Sequence, residues 1–379
     1  MGIPTLNFPI KQCNMSKSYL FRYIVLFLIS LSFCFCANEA FVEFKPVLSH
    51  SPCNKSWKNL ENLCEEDIED LSSNFSFWKD VDPEKISAEQ LTTLLRTGNS
   101  IDSLSIAYFQ TWANLPRSSK ILEFLKDRKK LKRDSILERR KYFIAIIPGM
   151  FYKDNPITGA DGAPVRNILD SQGIPNGNIQ IDQVGSLEEN SEQICNFIKS
   201  YNRSEHLILY STSKGGSDFK YAISKCGNKD YFSKVKAWLN VAGLLKGTPL
   251  MTHRSDSLIK RLILRIGIPI YGYRFDSLYE LRKTEDSPLS QDIESPSSMY
   301  VLNVLGIPMA RHISFRGFPN YSELAVYGPN DGLTLLPDAI QSGGDVLPLW
   351  ANDHYFLKFR DPSLFLGVLD WVIQNIKKK

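Results

Sequence analysis

The six consecutive residues Tyr142-Phe143-Ile144-Ala145-Ile146-Ile147 are all apolar or aromatic, and Pro148-Gly149 ends the run. A strand with one wet face alternates polar and apolar side chains. A run that is apolar at every position suits a strand covered on both faces, as inside a parallel sheet. Comparable runs lie at 206–210 and 235–241, a weaker one at 179–184, and further ones at 323–327 and 345–350. Helical patterns fall between them at 187–201 and 216–226, and an amphipathic one closes the chain at 362–377. Strand and helix in alternation require right-handed crossovers. The expected fold is α/β, with a mostly parallel sheet flanked by helices.

Two regions depart from this rhythm. Residues 37–140 are largely polar and contain no convincing strand. Asp82-Pro83-Glu84-Lys85 reads as a helix start continued over 87–95, and 119–137 reads as a second, highly charged helix. This region is expected to be a mainly helical N-terminal extension. Residues 247–315, rich in Pro, Gly, Ser, Arg and long aliphatics, are expected to form a cap inserted into the α/β domain of 141–379. Within the cap, Leu258-Ile259-Lys260-Arg261-Leu262-Ile263-Leu264-Arg265-Ile266 mixes apolar and basic side chains. A lid that meets lipid has this character, and so does a buried cap helix edged by Lys and Arg stems.

The first 36 residues have the layout of an export signal. Lys17 and Arg22 lead into an apolar run at 23–35, followed by Ala37 and Ala40, and Met15 offers an alternative start. The run has the length of a signal core and is short for a membrane span. Cleavage near Cys36-Ala37, lipoprotein processing at Leu31-Ser32-Phe33-Cys34 and a retained anchor are the alternatives. Each implies an exported protein, secreted or periplasmic, or anchored to a membrane. A disulfide between Cys53 and Cys64 would suit that compartment.

Composition removes other classes. Hydrophobic residues make up 43% and charged residues 23%, too close to ordinary globular usage for a disordered chain. A net charge of +4 spread along the chain gives no nucleic-acid footprint, and the one dense basic run, 126–141, reads as a solvated helix. With no CxxC pair and no His/Cys ligand spacing, neither a metal nor another cofactor is expected.

The chemistry-bearing signal follows the strand at 206–210, where Ser211-Thr212-Ser213-Lys214-Gly215-Gly216 leads into a helix. It fits the nucleophile-elbow pattern G-x-S-x-G, with Ser211 in place of the first Gly. A tight strand-to-helix turn lifts the middle Ser above the sheet and admits only small residues around it. Of the five histidines, His354 lies after the last strand and before the last helix. His253 falls in the cap, and His312 precedes a predicted strand. An orienting carboxylate is expected between nucleophile and base in the sequence. Asp331, at the tip of Gly328-Pro329-Asn330-Asp331-Gly332, fills that place better than Asp353, Asp338 or Asp345. Asp353 neighbours His354 on an extended segment and should point away from it. Oxyanion donors are expected from the backbone N–H groups of Lys214 and, after the first strand, Met150.

From about 142 to its end the chain resembles the α/β-hydrolase superfamily, and within it the bacterial lipase-like esterases. The likeness is carried by Ile147-Pro148-Gly149-Met150, Ser211-Thr212-Ser213-Lys214-Gly215-Gly216, the segment from Trp238 to Gly247-Thr248-Pro249, and Asn330-Asp331-Gly332. The resemblance implies a serine hydrolase cleaving carboxylic esters through an acyl-enzyme on Ser213, with an ester or lipid substrate and a membrane surface as a further partner. An acyltransferase on the same site and a non-catalytic binding protein are the alternatives.

Overall fold

The computed structural model describes residues 82–126, 134–270 and 273–378. The expected export signal, Cys53, Cys64 and the centre of the basic run at 127–133 lie outside the described residues. Ahead of the first strand come α1 (Ala88–Arg96), α2 (Ile101–Ala113), α3 (Pro116–Lys126) and α4 (Asp134–Arg139). Ser87 starts α1 in a reciprocal capping box with Gln90, and Ser100 caps α2. The α/β succession follows as β1 (Tyr142–Ile147), α5 (Ala163–Ser171), β2 (Asn176–Asn178), α6 (Leu187–Ser200), β3 (His206–Thr212), α7 (Lys214–Cys226) and β4 (Val235–Val241). Then come α8 (Pro249–Ser255), α9 (Leu258–Ile270), α10 (Phe275–Tyr279), β5 (Tyr300–Ile307), α11 (Phe318–Leu324), β6 (Asp345–Trp350) and α12 (Pro362–Ile376).

Among the described residues the strands form one parallel sheet in the order β2-β1-β3-β4-β5-β6. Burial on both faces explains the unbroken apolar runs. Ile144, Ile146, Ile208 and Leu239 pack against Val165 and Leu169 of α5 and Phe365 and Leu369 of α12. Ala145, Ile147, Leu207, Leu209 and Trp238 pack against Ile194 and Ile198 of α6 and Phe219 and Ile223 of α7. From β1 the chain first steps outward to β2 and then returns to β3 on the other side. The crevice above the C-terminal ends of β1 and β3 is therefore a topological switch point, where open α/β sheets receive ligands.

Three sequence expectations change. The expected strand at 179–184 pairs earlier and briefly, as β2. Beyond it Ile179, Ile181 and Val184 are buried, but Asp182 turns the chain by accepting from the Val184 N–H at 2.8 Å. The expected strand at 323–327 is instead the end of α11 and a turn, with the Tyr327 N–H donating to the Leu324 carbonyl. The strand that leads toward Asp331 is β5, buried at every position. The sequence pattern places it in the cap, and Asn303 and Gly306 interrupt its apolar run. Both have a packing reason. Asn303 pairs with Asn240 across the sheet at 2.9 Å, and a Cβ on Gly306 would sit 2.7 Å from the Asn352 carbonyl oxygen. The inserted segment therefore ends before Tyr300, short of 315.

The N-terminal helices are a layer of the α/β body. Phe109 and Trp112 of α2 pack on Leu305, Ile307, Val346 and Trp350, with the Phe109 and Trp350 rings 5.1 Å apart. Buried Arg139 of α4 grips Asp370 of α12 through two hydrogen bonds of 2.6 Å. A disulfide absent from the sequence reading, Cys195–Cys226, ties α6 to the end of α7.

Candidate active site

Ser213 sits between β3 and α7 with φ 53° and ψ −126°, a strained conformation for a residue with a Cβ. Packing leaves the turn no alternative. A Cβ on Gly215 would lie 2.5 Å from the Ile147 carbonyl oxygen, and one on Gly149 would lie 3.2 Å from the Ser213 Cβ. Ser211 fills the place usually held by glycine. Its fully buried hydroxyl accepts a 2.8 Å hydrogen bond from the Trp238 indole, so the extra polar atom is satisfied.

His354 lies after β6, and its Nδ1 is 2.8 Å from Asp331 Oδ2. Asp331 is itself immobilised. Its Oδ1 accepts from the Leu333 and Thr334 N–H groups at 2.9 Å each, and its carbonyl oxygen accepts from the His354 N–H at 2.8 Å. The alternative carboxylates are engaged elsewhere. Asp353 accepts from the Ser314 and Tyr355 N–H groups, and burial raises its pKa. Asp338 pairs with Lys283 at 2.8 Å, while Asp345 receives the Tyr300 hydroxyl. Of the other histidines, His253 pairs with Glu323 at 3.0 Å, and buried His312 faces the Met309 N–H.

The Lys214 N–H opens α7, where no intrahelical acceptor exists, and the Met150 N–H follows β1. Neither donates to a backbone acceptor among the described residues. The Lys214 side chain turns inward to Asp218 at 2.5 Å, and Asn190 completes the buried cluster at 2.9 Å from the same carboxylate. Burial pushes the Asp218 carboxyl up, and Lys214 and Asn190 pull it back.

Ser213, His354 and Met150 face one cavity of about 510 Å³. The inserted segment contributes Leu250, Met251, Leu264, Ile268 and Leu278. Sequence reading did not foresee the polar lining residues Arg254, Asn320, Tyr210 and Arg360. Of these, only Arg360 has a positional hint, standing just ahead of the Asp361 cap of α12.

No protein-family model matches this chain, and no curated protein does. Solved structures do. The crystal structure of the metagenomic carboxyl esterase MGS0156 superposes with a TM-score of 0.51 at 18% identity, covering 62% of this chain and 76% of that one. The mature form of Bacillus licheniformis lipase BlEst2 is also similar, with a TM-score of 0.41 at 16% identity, covering 61% of this chain and 87% of that one. A six-stranded parallel sheet flanked by helices, read together with the likeness to the carboxyl esterase, gives this chain the α/β-hydrolase fold.

Proposed function

We propose that this chain is an exported serine hydrolase that cleaves carboxylic esters. The observation that carries the reading is the Asp331–His354 pair at 2.8 Å opening on the same cavity as strained Ser213. With Nδ1 committed to the carboxylate, the proton stays on Nδ1 and Nε2 is left as the base. Ser213 Oγ attacks the ester carbonyl carbon, His354 takes its proton, and the Met150 and Lys214 N–H groups stabilise the oxyanion. Collapse of the tetrahedral intermediate releases the alcohol, which takes the proton back from His354. Water then repeats the cycle on the acyl-enzyme.

The cavity's aliphatic lining favours an acyl or lipid ester. Contact with a membrane surface has support of its own. Leu258, Ile259, Leu262 and Ile266 of α9 are more than half exposed, interspersed with Lys260, Arg261 and Arg265. An apolar face edged by basic residues suits the surface of an anionic bilayer.

A fluorescent fluorophosphonate, which reacts with activated serines, tests the nucleophile. Labelling of the parent and not of Ser213→Ala is the expected result. Equal labelling of both, or none of a folded parent, would remove the enzyme reading.

A further inference from the structure

The cavity above Ser213 is not electrically neutral. Arg254 and Arg360 line it, and among the described residues no Asp or Glu does. Arg254 is balanced, because its guanidinium binds Glu323 at 2.7 Å and Asn320 at 2.8 Å. Arg360 is not. Its Nη2 donates to the Thr158 carbonyl at 3.0 Å, and no carboxylate meets it among the described residues. The adjacent carboxylate, Asp361, is occupied as the cap of α12, accepting from the Ser363 and Leu364 N–H groups. The guanidinium is held against the loop after β1, where a Cβ on Gly159 would come within 3.2 Å of it.

A second group at this end of the cavity also lacks a partner. Tyr210 is 4% exposed and lines the cavity, yet its hydroxyl makes no hydrogen bond among the described residues. Its ring is fixed edge-on to Phe365, with centroids 6.1 Å apart. Burial raises the phenol's pKa, and the positive charge of Arg360 opposes that shift, so the two side chains share one electrostatic environment. The hydroxyl is not one of the sealed, unpartnered polar atoms of the core but is reached from the cavity, so it is free to donate to a ligand there.

Resting on the esterase reading, we propose that the substrate carries an anionic oxygen group, a carboxylate or a phosphate, that is received between Arg360 and the Tyr210 hydroxyl. The ester carbonyl sits at Ser213, and the aliphatic chain lies under the inserted segment against Leu264 and Ile268. A guanidinium and a phenol supply charge-assisted donors, and no carboxylate among the described lining residues opposes an anion. Arg360 and Tyr210 are on this account specificity-determining residues.

Binding to the Ser213→Ala variant separates this proposal from the catalytic one, since it needs no turnover. Calorimetry with hexyl phosphate, hexanoate and 1-hexanol reads the anion preference directly. At least one anion should bind ~10-fold or more tightly than the neutral alcohol, as expected for a hydrogen bond to a charged group. Adding Arg360→Gln should abolish the preference, and Tyr210→Phe should reduce it several-fold. Preference for the phosphate alone assigns the group to a phosphorylated alcohol, and equal binding of hexanoate admits acid half-esters. Equal affinity for all three ligands, or a preference that survives Arg360→Gln, would overturn the proposal. A preference lost in Arg360→Gln from a protein whose Ser213 never labels would keep the anion site and remove the esterase.

Discussion

Asp331→Asn is the substitution that most sharply tests the orienting role of Asp331. The two oxygens of Asp331 are not equivalent. Oδ1 accepts two backbone N–H groups at 2.9 Å, whereas Oδ2 faces His354 Nδ1 at 2.8 Å. An asparagine must keep its carbonyl oxygen where Leu333 and Thr334 donate, because an NH2 there would meet two donors. Its NH2 then faces Nδ1. The imidazole responds by giving up the Nδ1 proton and carrying one on Nε2, the nitrogen required to accept from Ser213. The fold should be unaffected, since every backbone hydrogen bond of the Asp331 turn is retained. Loss of the productive tautomer costs about 10⁴ in kcat when an analogous aspartate is amidated in another serine hydrolase. At 1.36 kcal/mol per tenfold this is about 5 kcal/mol of transition-state stabilisation. The assay is kcat on a short 4-nitrophenyl ester together with the rate of fluorophosphonate labelling, with Asp353→Asn as comparison. A loss below tenfold for Asp331→Asn, or an equal loss for Asp353→Asn, would refute the assignment of Asp331.

Other expectations follow from the same structure. Gly215→Ala drives a Cβ to 2.5 Å from the Ile147 oxygen and 2.6 Å from the Pro148 oxygen, both backbone, so the elbow must shift and fluorophosphonate labelling should fall at least tenfold. Reducing Cys195–Cys226, 31 residues apart, should lower stability to urea by about 3–4 kcal/mol on the chain-entropy account, read by circular dichroism with and without reductant. Buried Lys220 donates to the Leu245 and Leu289 carbonyls, and burial lowers its pKa to about 8. Between that value and the ordinary 10.5 the folded chain has released a proton that the unfolded chain retains, so stability should rise with pH across this window. Relative to Lys220→Met the parent should gain on the order of 3 kcal/mol from pH 8 to above 10.5, and a flat difference would refute the shift.

The sequence made the sheet centre legible because burial on both faces leaves short, largely apolar runs, rich in β-branched and aromatic residues and bounded by turn signals. β1, β3 and β4 appeared at their observed places for that reason. β5 escaped because it follows the Pro- and Ser-rich segment 287–298 and carries Asn303 and Gly306, whose causes, the Asn240 side chain and the Asn352 carbonyl, come near only after the chain has folded. Glu323-Leu324-Ala325-Val326-Tyr327 was misread because a mostly apolar run of five residues cannot by itself separate a strand from a helix end. Pro319 at the start of α11 carried the better signal. Ser213 and His354 were singled out by their places relative to strand ends, which sequence order preserves, whereas Asp331 was singled out behind an expected strand at 323–327 that the structure shows as a helix end and a turn. Tyr210 and Arg360 were not, because nothing local tells a cavity-facing Tyr in a buried strand from an ordinary core residue.

The backbone adds an argument for the site that owes nothing to motif or likeness. Among the described residues, the non-glycine positions with positive φ are Phe151, Ser213, Ala242, Ala351 and Phe356. All but Ala351 line the cavity, and Ala351 directly follows β6. Each such residue costs about 1–3 kcal/mol and persists only where its surroundings over-determine it. Strain scattered by chance would fall on loops anywhere in the chain. Here it is gathered at the C-terminal ends of β1, β3, β4 and β6, around one crevice. Those strand ends are held from below by the two-sided core, so the fold can sustain distortions that a mobile loop would relax. The rigid sheet thus supplies what the proposed chemistry needs, a serine hydroxyl and backbone N–H groups fixed in place before substrate arrives.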